Sequence, residues 1–188
     1  MLPTEIERKF TIKYLPKNIK NIFKITQKHI YRDMVCSIRV RKSENVKTNK
    51  KIYTHTIKAK GKNIQKYSVT ELEKQITEKE FEKVRPFKGS NIIEKYRCII
   101  PLENGLKAEV DIFTKKLRGL IIAEVEFKNL EQANKFQMPE WFSKEVPHKD
   151  FSNRKLSTKT REEVLDLVGK EQLKINERIY KDFKAGLQ

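Results

Sequence analysis

The sequence predicts an α+β protein built on an antiparallel sheet, with its helices gathered towards the C-terminal end. Three observations predict it. Eight short strand signals crowd the first two-thirds of the chain, polar turns separate them, and capping boxes open the helices that follow. At 188 residues the chain is most simply one domain, 1–188.

In chain order, strands are expected at Leu2–Ile12, His29–Asp33, Cys36–Lys42, Ile52–Lys60, Lys66–Ile76, Ile92–Pro101, Leu106–Thr114 and Leu120–Lys128. Loops are marked by the polar run Ser43–Lys51, by Gly61-Lys62-Asn63 and by Glu103-Asn104-Gly105. The last of these suits a tight hairpin, since Asn-Gly accepts positive φ readily. Thr77-Glu78-Lys79-Glu80 reads as a capping box opening a short helix through Phe81 and Val84. Leu130–Phe136 reads as a second helix, ended before Pro139. Thr160-Arg161-Glu162-Glu163 is another capping box, with Gly169 as a stop or kink. Lys170–Phe183 then continues as helix, with an imperfect apolar face of Leu173, Ile179, Tyr180 and Phe183.

The charge balance is strongly basic: 42 Lys plus Arg against 25 Asp plus Glu, a net +17. The excess is 32 Lys against 10 Arg, scattered along the chain and not concentrated in a tract. Scattered Lys solvates a surface and draws anions in a salt-dependent way, whereas nucleic-acid contacts favour Arg. Nucleic acid is therefore not an expected partner. No apolar stretch approaches the roughly 18 residues of a membrane span, and Met1–Phe10 carries acids where a signal peptide is apolar. Cys36 and Cys98 form neither a metal pattern nor a disulfide framework. A cytoplasmic protein without a membrane is the expectation.

The functional signal lies in how the strands are charged. Every second residue of a strand shares a face. Glu5, Glu7 and Lys9 lie together; so do Arg39 and Arg41; Thr56, Lys58 and Lys60; Glu71 and Glu73; Lys95 and Arg97; Glu109 and Asp111; and Glu124 and Glu126. A single Glu-Ile-Glu is an ordinary solvated face, but acid pairs and base pairs recur here at the same spacing in seven strands. If the sheet closes into a barrel, these groups converge on its lumen. Burying an unpaired ion costs several kcal/mol, so such a lumen must hold water, metal and an anion. Carboxylates suit Mg²⁺ or Mn²⁺, and Arg and Lys suit phosphoryl oxygens.

The opening Glu5-Ile6-Glu7-Arg8-Lys9-Phe10 resembles the Glu-x-Glu-x-Lys signature of the CYTH, or triphosphate tunnel metalloenzyme, superfamily. The likeness continues in order through Ser37-Ile38-Arg39-Val40-Arg41, Thr56-Ile57-Lys58, Glu71-Leu72-Glu73, Lys95-Tyr96-Arg97, Val110-Asp111-Ile112-Phe113 and Ala123-Glu124-Val125-Glu126. Pro139-Glu140-Trp141-Phe142 and Phe151-Ser152-Asn153 resemble the family's closing segment. The resemblance implies an eight-stranded antiparallel closed β-barrel with a charged lumen, over about 1–157; the helical signals read above place a C-terminal helical segment over about 158–188, which the family's pattern does not match.

It also implies roles. Glu5, Glu7, Glu124 and Glu126, with Asp111, would carry Mg²⁺ or Mn²⁺, while Lys9, Arg39, Arg41, Lys58, Lys95 and Arg97 would hold the phosphates of a triphosphate-containing small molecule. Glu5, Glu7, Glu71 and Glu73 are the candidate proton acceptors for an attacking water, and Lys95 the stabiliser of the leaving phosphate. The expected reaction is metal-dependent hydrolysis of inorganic triphosphate. Alternatives are a class IV-type adenylyl cyclase, a thiamine-triphosphatase, and a non-enzymatic polyphosphate or nucleotide sensor. A homodimer is a candidate assembly.

Overall fold

The computed structural model describes residues 4–59 and 68–187. The strands are β1 (Thr4–Ile12), β2 (Asn21–Arg32), β3 (Cys36–Asn45), β4 (Lys51–Ala59), β5 (Ser68–Gln75), β6 (Ile93–Pro101), β7 (Lys107–Phe113), β8 (Ile121–Phe127) and β9 (Phe142–Val146). The helices are α1 (Glu78–Lys83), α2 (Leu130–Lys135), α3 (Asn153–Leu156), α4 (Arg161–Val168) and α5 (Lys170–Ala185). The result is an α+β protein with a single antiparallel sheet in the order β5-β4-β3-β2-β6-β7-β8-β1-β9. Among the described residues, no helix is long and apolar enough to cross a membrane.

The sheet has nine strands where the sequence predicted eight. One edge of β1 pairs with β8 through Ile6–Phe10. Its other edge is shared: Thr4, Glu5 and Ile6 register with Thr70, Val69 and Ser68 of β5, and Lys9, Phe10 and Ile12 with Val146, Glu145 and Phe142 of β9. The ninth strand thus satisfies the backbone of β1 beyond the positions that β5 reaches. Arg8 anchors it by reaching both carboxylate oxygens of Glu145, at 3.0 and 2.6 Å. The same guanidinium lies 5.3 Å from the Phe10 ring centroid, which is how a cation sits on the apolar face of β1.

The predicted capping boxes and the turn at Glu103–Gly105 are present, while the predicted Gly61-Lys62-Asn63 loop lies outside the described residues. Thr77 and Thr160 each form the reciprocal capping box with Glu80 and Glu163. The β6–β7 connection turns at Asn104, φ 55°. Gly169, φ 81°, separates α4 from α5 in a conformation only glycine takes without strain.

The apolar and charged residues of the sheet separate by strand parity. Phe10, Ile12, Cys98, Ile100, Val110, Ile112, Ala123 and Val125 form the main core on one face, covered by Ile179 and Phe183 of α5 and by Ala133 of α2. On the opposite, charged face, Ile93, Phe113 and Ile122 are the apolar ends of three strands. They join Phe151, Leu156, Val164 and Val168 in a second cluster that seals that end. The imperfect face of α5 also has an explanation. Its buried Gln172 and Asn176 donate to Ile12 O at 2.8 Å and Gly119 O at 2.9 Å, so polar residues fix the helix where apolar ones were expected.

Candidate functional site

The charged face brings together every predicted site residue whose side chain is described. The side chain of Glu5 lies outside that set, as does Lys60. Register places Lys9 opposite Glu124 and Glu7 opposite Glu126 between β1 and β8, and Glu109 opposite Glu124 between β7 and β8. Arg97 stands opposite Asp111 between β6 and β7, and Lys58 opposite Glu71 between β4 and β5.

The side chains make a neutralising network. Lys9 pairs with Glu124, and with Glu7 at 3.2 Å. Lys95 pairs with Asp111 and donates to Asn153 Oδ1 at 3.1 Å. Arg97 holds Asp111 through Nε and Nη2, both at 2.7 Å, reaches Glu124 at 2.9 Å, and pairs with Glu109. Glu71 sits 2.7 Å from Lys58 and 3.4 Å from Arg39. Glu73 accepts from Thr56 Oγ1 at 2.7 Å. The lysines therefore do pair with neighbouring acids, as a buried charge requires. Lys9, Lys95 and Asp111 are no more than 2% exposed.

Two demands stay unmet within this network. The first is for cation. Glu126 stands directly opposite Glu7, and like charges facing across strands repel, whereas Glu109 and Glu124, also opposite each other, are held by Arg97, Lys107 and Lys9. Burial, then the carboxylates of Glu109 and Glu7, pushes the Glu126 carboxyl up. Burial alone would also raise Glu7, but Lys9, His148 and Lys58 outweigh it and hold that carboxyl well below its usual range. Among the described residues, no three Asp, Glu, His or Cys side chains already converge as a metal site. The donor set nonetheless has the all-oxygen chemistry that Mg²⁺ or Mn²⁺ takes.

The second demand is for anion. Among the described residues Arg41 has no ion pair or hydrogen bond, and its buried Nε is unpartnered. Burial, with Arg39 and Arg97 nearby, brings its guanidinium down to about 9. Burial likewise brings Lys95 down to about 8, with Arg97 adding to the effect and Asp111 opposing it.

Several participants carried no sequence signal that gave them a role, Asn153 among them although it ends the Phe151-Ser152-Asn153 segment that resembles the family. His148 reaches Glu7 from the segment after β9, and Asn153 reaches Lys95 from the start of α3. Gln27 and His29 lie on the charged face of β2, 0% and 2% exposed. Burial, followed by Arg39, Arg32 and Lys95, depresses His29 to about 3. Since its folded pKa lies below the unfolded value of about 6.5, the stability of its neutral form is fully present above that pH and is lost as pH falls towards 3. Unfolding in urea should show up to about 1.4 kcal/mol lost per pH unit below pH 6, and His29→Asn should flatten that slope. Parallel slopes for the two proteins between pH 7.5 and 5 would contradict a neutral buried His29.

No family model matches the chain. An inorganic triphosphatase of Nitrosomonas europaea is 31% identical over 155 residues, which cover 82% of this chain and 97% of that protein. A crystal structure titled as an inorganic triphosphatase superposes with a TM-score of 0.58 at 28% identity, covering 85% of this chain and 97% of that one. A second crystal structure of that same protein, there called hypothetical, gives 0.60 at 29% identity, covering 83% of this chain and 99% of that one.

Proposed function

The chain belongs to the CYTH, or triphosphate tunnel metalloenzyme, family, and we propose that it hydrolyses inorganic triphosphate within a tunnel, with Mg²⁺ or Mn²⁺ on the carboxylates. It is a phosphoanhydride hydrolase. The observation that carries the site assignment is one sheet face bearing facing carboxylates and, among the described residues, a half-buried guanidinium, Arg41, with no acceptor. A metal–polyphosphate complex supplies both missing partners at once. The tunnel reading is supported by the pairing of β1 with β8 on one edge and with β5 on the other, which returns the strand order to its start.

Binding is then an exchange of partners. Lys9, Arg39, Lys58, Lys95 and Arg97 turn from carboxylates to phosphoryl oxygens, and Arg41 gains its first acceptor. Glu7, Glu109, Glu124 and Asp111, thereby released, would hold the cation together with Glu126 and Glu5. Bound there, the metal would neutralise the chain and lower the pKa of a bound water. The residues do the rest. The cations align the phosphate chain for in-line attack, a carboxylate among Glu5, Glu7, Glu71 and Glu73 takes the water's proton, and Lys95 meets charge on the leaving phosphate. The cluster around Phe113 and Phe151 closes one end to water.

The basic side chains of this face suit phosphoryl oxygens, while among the described residues no cluster of aromatic and amide groups on it is dedicated to a base or a thiazolium ring. Inorganic triphosphate should therefore have a higher kcat/KM than ATP or thiamine triphosphate, and pyrophosphate should be poor because it cannot span the cations. Measuring kcat/KM for the four compounds in one metal-containing buffer tests this. ATP exceeding inorganic triphosphate would sink the substrate assignment.

A further inference from the structure

Among the described residues, four buried polar atoms on three adjacent strands lack a partner: His29 Nδ1, Arg39 Nε, Arg41 Nε and Thr54 Oγ1. They are not scattered. His29 stands opposite Arg39 and Gln27 opposite Arg41 between β2 and β3, and Arg41 stands opposite Thr54 between β3 and β4. All lie on the charged face, beside residues that the family's motif supplies. His29, Gln27 and Thr54 belong to no motif read from the sequence.

The hydrogen bonds settle what His29 offers. Arg39 Nη1 donates to Gln27 Oε1 at 3.4 Å, which fixes the amide with its nitrogen towards the imidazole. Gln27 Nε2 then lies 3.2 Å from His29 Nε2 and must be the donor. His29 Nε2 is therefore the accepting nitrogen, so in the neutral ring Nδ1 carries the proton. Among the described residues that N–H has no acceptor. The arginine Nε groups are likewise donors only, and the threonine hydroxyl can donate. Buried donors left without acceptors cost about 1–3 kcal/mol each, so four gathered together call for a ligand made of acceptor oxygens.

We propose that Gln27, His29 and Thr54 complete, with Arg39 and Arg41, a cradle for one unsubstituted phosphoryl group, His29 giving Nδ1–H and Thr54 its hydroxyl to the phosphoryl oxygens. This rests on the triphosphatase reading for its ligand and adds the part of the site that selects a bare phosphate end. Gln27, His29 and Arg39 are 0%, 2% and 8% exposed, a depth that suits the free end of a phosphate chain and not an end carrying an organic group. The positive field of the two guanidiniums selects an anion over a neutral ligand. Gln27 acts as a positioning residue, since it orients both Arg39 and the imidazole.

The test pairs disruptive with conservative variants. Tripolyphosphate binding is measured by calorimetry in EDTA, without metal, alongside steady-state kinetics with Mg²⁺. His29→Phe and Thr54→Val should each weaken metal-free binding and raise KM about tenfold, with kcat changed less than about threefold. His29→Asn and Thr54→Ser keep a donor and should stay within about threefold of the parent in KM. Unchanged affinity in His29→Phe and Thr54→Val overturns the cradle, as does an equal loss in the conservative pair, which would make the effect one of packing. If the parent binds tripolyphosphate and the variants weaken it but no orthophosphate is released, the cradle stands and the hydrolytic reading falls. A parent chain that binds no tripolyphosphate overturns both.

Discussion

Glu126→Gln should cut kcat/KM for inorganic triphosphate about a hundredfold or more and leave the fold at least as stable as before. The two effects have one cause. Glu126 faces Glu7 directly across β1 and β8, and its carboxyl is pushed up by burial and by Glu109 and Glu7. Replacing it with a neutral isostere removes repulsion from the metal-free protein, so its melting temperature should hold or rise. The same change removes a charged oxygen ligand, and a loss of about 3 kcal/mol of transition-state stabilisation is roughly a hundredfold in rate. A merely structural glutamate would lose stability and keep its turnover. Activity assays together with melting curves in EDTA separate the two. Near-normal turnover with unchanged metal dependence would remove Glu126 from the site.

Arg97→Met carries the largest expected effect on stability. Arg97 ties together Asp111, Glu109 and Glu124 from two neighbouring strands. Asp111 is 1% exposed, so without the guanidinium it keeps only Lys95 as a countercharge. Breaking a buried pair from one side costs about 3–5 kcal/mol, a large part of the ~5–15 kcal/mol that holds a domain folded. Denaturant titration in metal-free buffer should show that loss. Arg97→Lys should lie between the two, because it keeps the charge but not the fork that reaches three carboxylates. A loss below about 1 kcal/mol in Arg97→Met would mean that the carboxylates do not depend on it.

The sequence disclosed this protein unevenly, for physical reasons. Strict alternation marks a strand with one apolar and one charged face, and β3, β6, β7 and β8 have it. β2 does not. Phe23 and Ile25 share the charged face of β2 with Gln27 and His29, while Lys24, Thr26 and Lys28 interrupt the reverse, so only its end near His29 was legible. The ninth strand is five residues long and is held by Arg8–Glu145, a contact across 137 positions that local pattern cannot reveal. The charged site residues were legible because charge at a spacing of two is conspicuous. Gln27, Thr54, His148 and Asn153 were not, since isolated polar residues acquire meaning only when register sets them beside buried ions. Polar Gln172 and Asn176 likewise disguised the buried face of α5.

The most direct test of metal-dependent triphosphate hydrolysis is phosphorus NMR of the purified protein with inorganic triphosphate, in Mg²⁺ or Mn²⁺ and then in EDTA, with ATP in parallel. The charged face predicts orthophosphate and pyrophosphate in equal amounts from triphosphate as first products, dependence on the divalent cation, and slower release of phosphate from ATP. An intact triphosphate signal in the presence of metal, or cyclic AMP formed from ATP faster than triphosphate is cleaved, would contradict it.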